Sequence, residues 1–472
     1  MSTISTDLLD QLPPEYGQDL LPEIHAEFKQ AGKTLVVLDD DPTGTQTSYD
    51  ITVLTQWSVP LLVEELRKKP AVLFILTNSR SMAEAAAVQL TEEICRHLKE
   101  AIEICGQQII TISRSDSTLR GHFPAEVDAM ARVLGQTDAI RIIVPAFVEG
   151  GRYTIEDIHY IKEQDELVPV SQTPFARDAV FGYRHSNLRE WVEEKTGGRV
   201  KAGEVVSVSL KDIRLGGPQR VSEKLLACQP GQVCIVNATS NRDLEVFIRG
   251  VQMAEQAGQT CIYRTSATFV PIRAGMAPGK AYVPQLDSAT SSSNSLIVVG
   301  SYVPKTTSQL QYLLDQGSHR SIEVDVSKLL HLSTEEIASY HQAIVQQADQ
   351  WLSEGADVVI HTSRQLEVGQ DVESNLKINS QVSEFLVGVV QGMTVRPSFM
   401  IAKGGITSSD LATKGLGVQK ATVLGQIIPG VPVWKLDPHS KYPDLIYVVF
   451  PGNVGDDKAL TNVYLQLKTS KN

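Results

Sequence analysis

The chain has 472 residues, 43 basic and 55 acidic, for a formal net charge of -12, with 42% hydrophobic and 21% charged residues. That length suits two or three domains with cores of their own, and the composition is that of a globular chain, not a disordered or fibrous one. The acidic balance argues against broad nucleic-acid binding, which needs a basic footprint, but leaves room for local small-anion sites.

The five cysteines form no CxxC pair and read as reduced thiols. The N-terminus shows no basic segment followed by an apolar run, so no signal peptide is expected. No stretch of about 18 apolar residues predicts a membrane span, and the cytoplasm is the expected location.

Residues 1–32 read as an acidic, partly helical N-terminal extension. "TLVVLDDDPTG" (34–44) then breaks from an apolar run into three aspartates, a proline and a glycine, which predicts a strand followed by a loop. The pattern recurs. "AVLFILTNSR" (71–80) precedes a helix predicted from about Met82 to Leu98. "QQIITISRSDSTLRGH" (107–122) precedes one from Pro124 to Leu134, and "AIRIIVPAFVEGGRYT" (139–154) is the fourth unit. Residues 155–215 are more polar and less regular. Strand-like runs return at 231–239 and 261–270, with helical patterns at 219–228 and 242–257. "QLDSATSSSNS" (285–295) reads as a linker. Beyond it, strand, loop and helix follow one another at 295–310, 398–417 and 444–467, with a helix over 334–353. The expectation is an α/β protein of two domains, residues 33–284 and 296–472, each a largely parallel sheet flanked by helices.

In open α/β sheets, ligands bind beyond the C-terminal ends of the strands, where the polar clusters fall. Asp40 and Asp41 in "LDDDPTGTQT" can orient hydroxyls, act as a base or help hold Mg²⁺; they also suit a capped turn. Arg80 in "TNSR" can fork onto a carboxylate, or lie on the surface beside a helix cap. "RSDSTLRGH" gathers Asp116, Ser117, Thr118, Arg120 and His122. Capping alone does not require that arginine and histidine, and the set suits a small polyhydroxylated acid. Arg152, after "EGG", belongs either to a loop over the same pocket or to a tight turn.

In the C-terminal half, Ser301 follows "VVG", Gly404, Gly405 and Thr407 sit in "AKGGITSSD", and Gly452 and Gly455 sit in "FPGNVGDD". Glycines at helix starts let phosphates approach backbone N–H groups, and three such loops point to a nucleotide. The Walker spacing GxxxxGK(S/T), HExxH, zinc spacings and the GxSxG elbow are all absent.

With "DDDPTGTQT", "DSTLRGH", "AKGGITSSD" and "PGNVG" in that order, the chain resembles the four-carbon acid sugar kinase family from about residue 33 to 466. The resemblance implies a sugar-acid-binding N-terminal domain, a nucleotide-binding C-terminal domain and an active site in the cleft between them. It implies ATP as co-substrate, Mg²⁺, and phosphorylation of the terminal hydroxyl of threonate, erythronate or a 3-oxo-tetronate. Asp40 and Asp41 would be catalytic. Arg80, Asp116, Ser117, Thr118, Arg120 and His122 would bind the acid, with Arg80 and Arg120 clamping its carboxylate. Ser301, Gly404, Gly405, Thr407, Gly452 and Gly455 would line the ATP site. The partners are then small molecules, with no nucleic acid and no membrane. A homodimer is compatible with the sequence, which does not fix the oligomeric state. Two other readings stay open: a non-catalytic sensor of sugar acid and nucleotide, and a metal-dependent sugar-acid aldolase or isomerase.

Overall fold

The apolar run Thr34–Asp39 is buried along its whole length, as a strand inside a parallel sheet covered on both faces must be. A computed structural model describes residues 3–284, 294–364 and 372–469; the predicted linker, except Asn294 and Ser295, lies outside them. The chain divides into two units, Met1–Pro278 and Gly279–Asn472.

The sheet of the first unit runs Val206–Val208, Val233–Val236, Ile140–Val144, Cys261–Thr265, Ile109–Arg114, Thr34–Asp39, Val72–Leu76 and Ile51–Leu54. Every pairing along it is parallel. Helices Ala125–Val133 and Asn241–Gln256 occupy the predicted helical stretches, and Glu84–Cys105 begins in the predicted one but runs past Leu98 to Cys105. Val36 and Leu38, two residues apart and so on one face of the pleat, pack with Ile94, Leu98 and Met130 in one core. The polar stretch after residue 150 holds a small antiparallel sheet of Arg152–Ile155, Ile158–Glu163 and Glu166–Pro169, joined by the short strand Ile4–Ser5.

The N-terminal extension belongs to the body of this unit. Helix Leu21–Ala31 buries Ile24 and Phe28. Gln252 Nε2 donates to the Ile24 carbonyl at 3.1 Å. A Cβ at Gly275 would fall 2.3 Å from His25 Cα, so the helix rests directly on that turn.

In the second unit, Ile446–Phe450, Phe399–Lys403, Leu296–Val299, Val358–Thr362 and Arg320–Val324 form a parallel sheet in that order. Strand Val431–Leu436 joins it antiparallel to Ile446–Phe450, and Lys420–Ile428 pairs antiparallel with Val431–Leu436. Helices Pro304–Asp315 and Ala459–Thr469 cover one face, through Leu310, Leu313, Leu460 and Val463. Among the described residues no helix is long and apolar enough to cross a membrane.

Candidate functional site

In the first unit, three neighbouring strands deliver the charged groups. Their register sets Asp39 opposite both Leu76 and Arg114, so the residues after each strand emerge at one edge. Asp39 Oδ1 accepts from Arg114 Nη1 at 3.1 Å, while Oδ2 is buried without a hydrogen-bond partner. Burial pushes the Asp39 carboxyl up to about 7; Arg114 opposes this, and Asp40 and Asp41 add to it. A Cβ at Gly44 would lie 2.0 Å from the bare Oδ2, so only glycine lets that loop close over the acid.

Asp40, which is buried, and Asp41 both meet Arg80. The Arg80 guanidinium donates from Nε and Nη2 to Asp40 and from Nη1 to Asp41, the last at 3.2 Å. Ser115 Oγ donates to Asp40 at 2.8 Å. Asp41 accepts from the Thr43 amide at 2.9 Å and from its hydroxyl. Burial raises the Asp41 carboxyl, but Arg80, Arg114 and the two Thr43 bonds together hold it below its ordinary value.

Asp116 accepts from the Thr118 hydroxyl and from Arg120 Nε, the latter at 2.7 Å. Against the effect of burial, Arg120 and Arg80 hold Asp116 far below the usual carboxylate range. Arg120 also pairs with Asp178 at 3.6 Å and lies 4.9 Å above the Phe175 ring. The predicted residues thus gather into two ion groups, Asp40–Asp41–Arg80 and Asp116–Thr118–Arg120. Two predicted residues act through other contacts. His122 Nε2 donates to the carbonyls of Ser79 and Met82, both at 3.1 Å, and braces the turn that carries Arg80. Ser117 is buried, and its carbonyl accepts from His159.

Asp39, Arg114 and Ser115 stood within the clusters that the sequence singled out but without an assigned role, and sequence reading passed over Glu126 and Arg264. Glu126 is pushed up to about 7 by burial, with Asp40 adding to the rise. Arg264 is 2% exposed; its Nη2 donates to the Arg120 carbonyl at 3.0 Å, and its guanidinium lies 5.1 Å from the Trp191 ring. The available signal was an arginine at the end of an apolar strand, in "CIYRT" (261–265), beside one like it in "IITISR" (109–114).

In the second unit, the loops after Leu296–Val299, Phe399–Lys403 and Ile446–Phe450 form one knot. The Gly404 amide donates to the Phe450 carbonyl at 2.8 Å. A Cβ at Gly300 would lie 2.3 Å from Thr407 Oγ1, and one at Gly452 would lie 3.0 Å from Ser301 Oγ. Gly404, at φ +126°, would press its Cβ against Thr407 and Ser301. Ser301, Gly404, Thr407 and Gly452 are therefore together, and Gly405 opens the helical turn Gly405–Asp410. Gly455 lies further along and helps line an open depression of ≈ 400 Å³ with Ile428, Asp456, Ala459 and Asn462. Gln309 fixes that stretch by donating to the carbonyls of Val454 and Asp456 at 2.9 and 2.7 Å.

Lys403 was not anticipated. It is fully buried at the end of its strand, donates to the carbonyls of Pro451 and Gly452 at 2.7 and 3.3 Å, and lies 3.9 Å from the centre of the Phe450 ring. Among the described residues no acid pairs with it, and burial pulls its ammonium down to about 7. The Ser301 and Thr407 hydroxyls and the glycine backbone above this buried cation make a loop cluster of the kind that receives anionic groups.

The comparisons with known proteins follow the same division. A sugar-binding N-terminal domain is matched over residues 35–272 and a nucleotide-binding C-terminal domain over residues 296–460. A D-threonate kinase of Bordetella bronchiseptica is 28% identical over 48% of this chain and 51% of its own length. A D-erythronate kinase of Heliobacterium modesticaldum is 24% identical over 63% of this chain and 64% of its own length. The chain thus spans about half the length of the first and under two thirds of the second. The Haemophilus influenzae protein HI1011 shares the fold with a TM-score of 0.60 at 17% identity, over 92% of this chain and 100% of that one. The two matched domains, lying on the two units whose strand ends carry the charged cluster and the glycine knot, place this chain in the four-carbon acid sugar kinase family.

Proposed function

We propose that the protein is an ATP-dependent kinase that phosphorylates the terminal hydroxyl of a four-carbon sugar acid: threonate, erythronate or a 3-oxo-tetronate. One observation carries this reading: the sugar-binding match falls on the unit with the Asp40–Asp41–Arg80 and Asp116–Arg120 groups, and the nucleotide-binding match on the unit with the Ser301–Gly404–Gly452 knot. The relatives named D-threonate kinase and D-erythronate kinase support the class of acceptor.

Phosphoryl transfer passes through a loose transition state, so catalysis rests on alignment and charge more than on strong base chemistry. Asp41, held below its ordinary value chiefly against burial by Arg80, is ionised at neutral pH. It is a weak base, suited to orienting the attacking hydroxyl and accepting its proton late. Asp40 shares Arg80 and the Ser115 hydroxyl, which fix the pair of carboxylates. Ser117, Thr118 and Asp116 are the groups offered to the acid's other hydroxyls, within a loop braced by His122. The hydroxyls of Ser301 and Thr407 and the loop backbone at Gly405, Gly452 and Gly455 would take the phosphates, with the Gly404 amide holding the loop to the Phe450 carbonyl. Mg²⁺ enters as the complex with ATP, held largely by phosphate oxygens and water. Among the described residues no three His, Cys, Asp or Glu side chains converge on a metal position.

The test is ADP release from Mg-ATP with a panel of four-carbon sugar acids, and five- and six-carbon acids beside them. Turnover on a tetronate is expected. Silence across the panel with ATP binding retained would favour a sensor, and conversion of the acid without ATP would favour an aldolase or isomerase.

A further inference from the structure

A sugar acid brings a carboxylate, and Arg80 and Arg120, the arginines expected to clamp it, are already engaged, as is the neighbouring Arg114. Arg80 bonds Asp40 and Asp41, Arg114 bonds Asp39, and Arg120 bonds Asp116. A substrate carboxylate arriving at any of these must displace a buried aspartate from its nearest cation, which is costly. Arg264 is sealed beneath the loop.

Arg152 differs. It is partly buried, its Nε has no hydrogen-bond partner, and among the described residues no carboxylate forms an ion pair with it. Its Nη1 donates to the carbonyl of Gly150, two residues back, and its guanidinium lies 5.8 Å from the Phe147 ring centre. The turn is built for this posture: a Cβ at Gly150 would fall 2.4 Å from the Phe147 ring and 2.5 Å from Arg152 Nη1. Burial lowers the affinity of Arg152 for its proton; the Asp116 carboxylate and, after it, Glu163 act in the opposite sense, and Arg120 in the same sense as burial.

His159 ties the two pieces together. Its Nε2 donates to the Ser117 carbonyl at 2.7 Å, which leaves Nδ1 to accept the Thr154 hydroxyl at 2.9 Å. Thr154 is on the Arg152–Ile155 strand, and Ser117 is in the Asp116–Arg120 loop. We propose that Arg152 is the substrate-binding residue that receives the carboxylate of the acid, leaving Arg80 and Arg120 to hold Asp40, Asp41 and Asp116 in place. This rests on the kinase reading above. A guanidinium bound only to a carbonyl can exchange that contact for a two-pronged bond to a carboxylate without unpairing any acid.

The experiment compares wild type, Arg152→Gln, Arg152→Lys and Arg120→Gln on an accepted four-carbon acid and on the matching tetritol, in which the carboxylate is reduced to an alcohol. Arg152→Gln should lower the ratio of kcat/KM for acid over tetritol about 100-fold, the loss expected for a charge-assisted pair. Arg152→Lys should fall between, and the KM for ATP should stay within about twofold. An unchanged ratio in Arg152→Gln, or the selective loss appearing in Arg120→Gln instead, overturns the assignment. Should Arg152→Gln fail to fold by its melting curve, Arg152→Lys decides: an undiminished ratio refutes the proposal. If wild type turns over no acid, the kinase reading fails by itself. Calorimetric binding of the same acids to wild type and Arg152→Gln then decides the role of Arg152 separately: equal affinities refute it.

Discussion

Replacing Lys403 with methionine keeps its length and removes its charge. The ammonium falls from an ordinary value of 10.5 to about 7 because it is buried, with Lys305 adding to the effect and, among the described residues, no acid paired with it. In the unfolded chain this lysine keeps its proton to about pH 10, but in the folded chain only to about pH 7. Between those values the unfolded state binds more protons, so stability rises with pH. At about 1.4 kcal/mol per pKa unit, the full difference is about 5 kcal/mol, and the share gained between pH 7 and 9 is about 2 kcal/mol. Lys403→Met abolishes that slope. It also takes the Lys403 donor from the Pro451 carbonyl, at a cost of about 1–3 kcal/mol that does not vary with pH, while the Gly452 carbonyl keeps Thr306 Oγ1 at 3.0 Å. The slope therefore isolates the charge. Urea unfolding of wild type and Lys403→Met across this range should show wild type gaining about 2 kcal/mol on the variant. Parallel curves would refute a buried, acid-free ammonium.

Gly44→Ala places a methyl 2.0 Å from Asp39 Oδ2 and should cost about 2–4 kcal/mol, read as a fall in Tm of several degrees; an unchanged Tm contradicts the closure of that loop on the acid. Asp41→Asn should lower kcat about 10²–10³-fold while the KM for ATP moves less than about twofold; a variant of near-normal kcat removes Asp41 from the catalytic step. Burial pulls His159 down to about 4 from an ordinary 6.5. The unfolded state therefore takes up the proton first, and this neutral imidazole costs stability progressively as pH falls from about 6.5 to 4, by about 3 kcal/mol in all. Acid unfolding of His159→Gln should lack this component, and an identical pH profile would count against it.

Local sequence determined a good part of this protein. Apolar runs that end abruptly in polar residues marked the strands ending near Asp39, Leu76, Arg114, Val144 and Val299. Helical periodicity located Asn241–Gln256 and Thr334–Ser353, because a strand's pleat and a helix's stripe are written in adjacent residues. The same reading brought out Asp40, Asp41, Arg80, Asp116 and Arg120, since charge at a strand end is conspicuous. It passed over the antiparallel pair Lys420–Ile428 and Val431–Leu436, where burial alternates along the first strand as its neighbours dictate. It gave no role to Asp39 and Arg114 within the clusters it singled out, and it passed over Arg264 and Lys403; all four look like strand residues until the register is known. Asp39 meets an arginine 75 residues away, and Arg264 meets the Arg120 carbonyl from 144 residues away. Three consecutive aspartates are the plainest case. Sequence supplies three equal acids, yet burial under Gly44 pushes Asp39 up to about 7, while Arg80 and Thr43 hold Asp41 down. Ionisation depends on the local dielectric and the nearest charge, and both are set by which distant strands pack alongside.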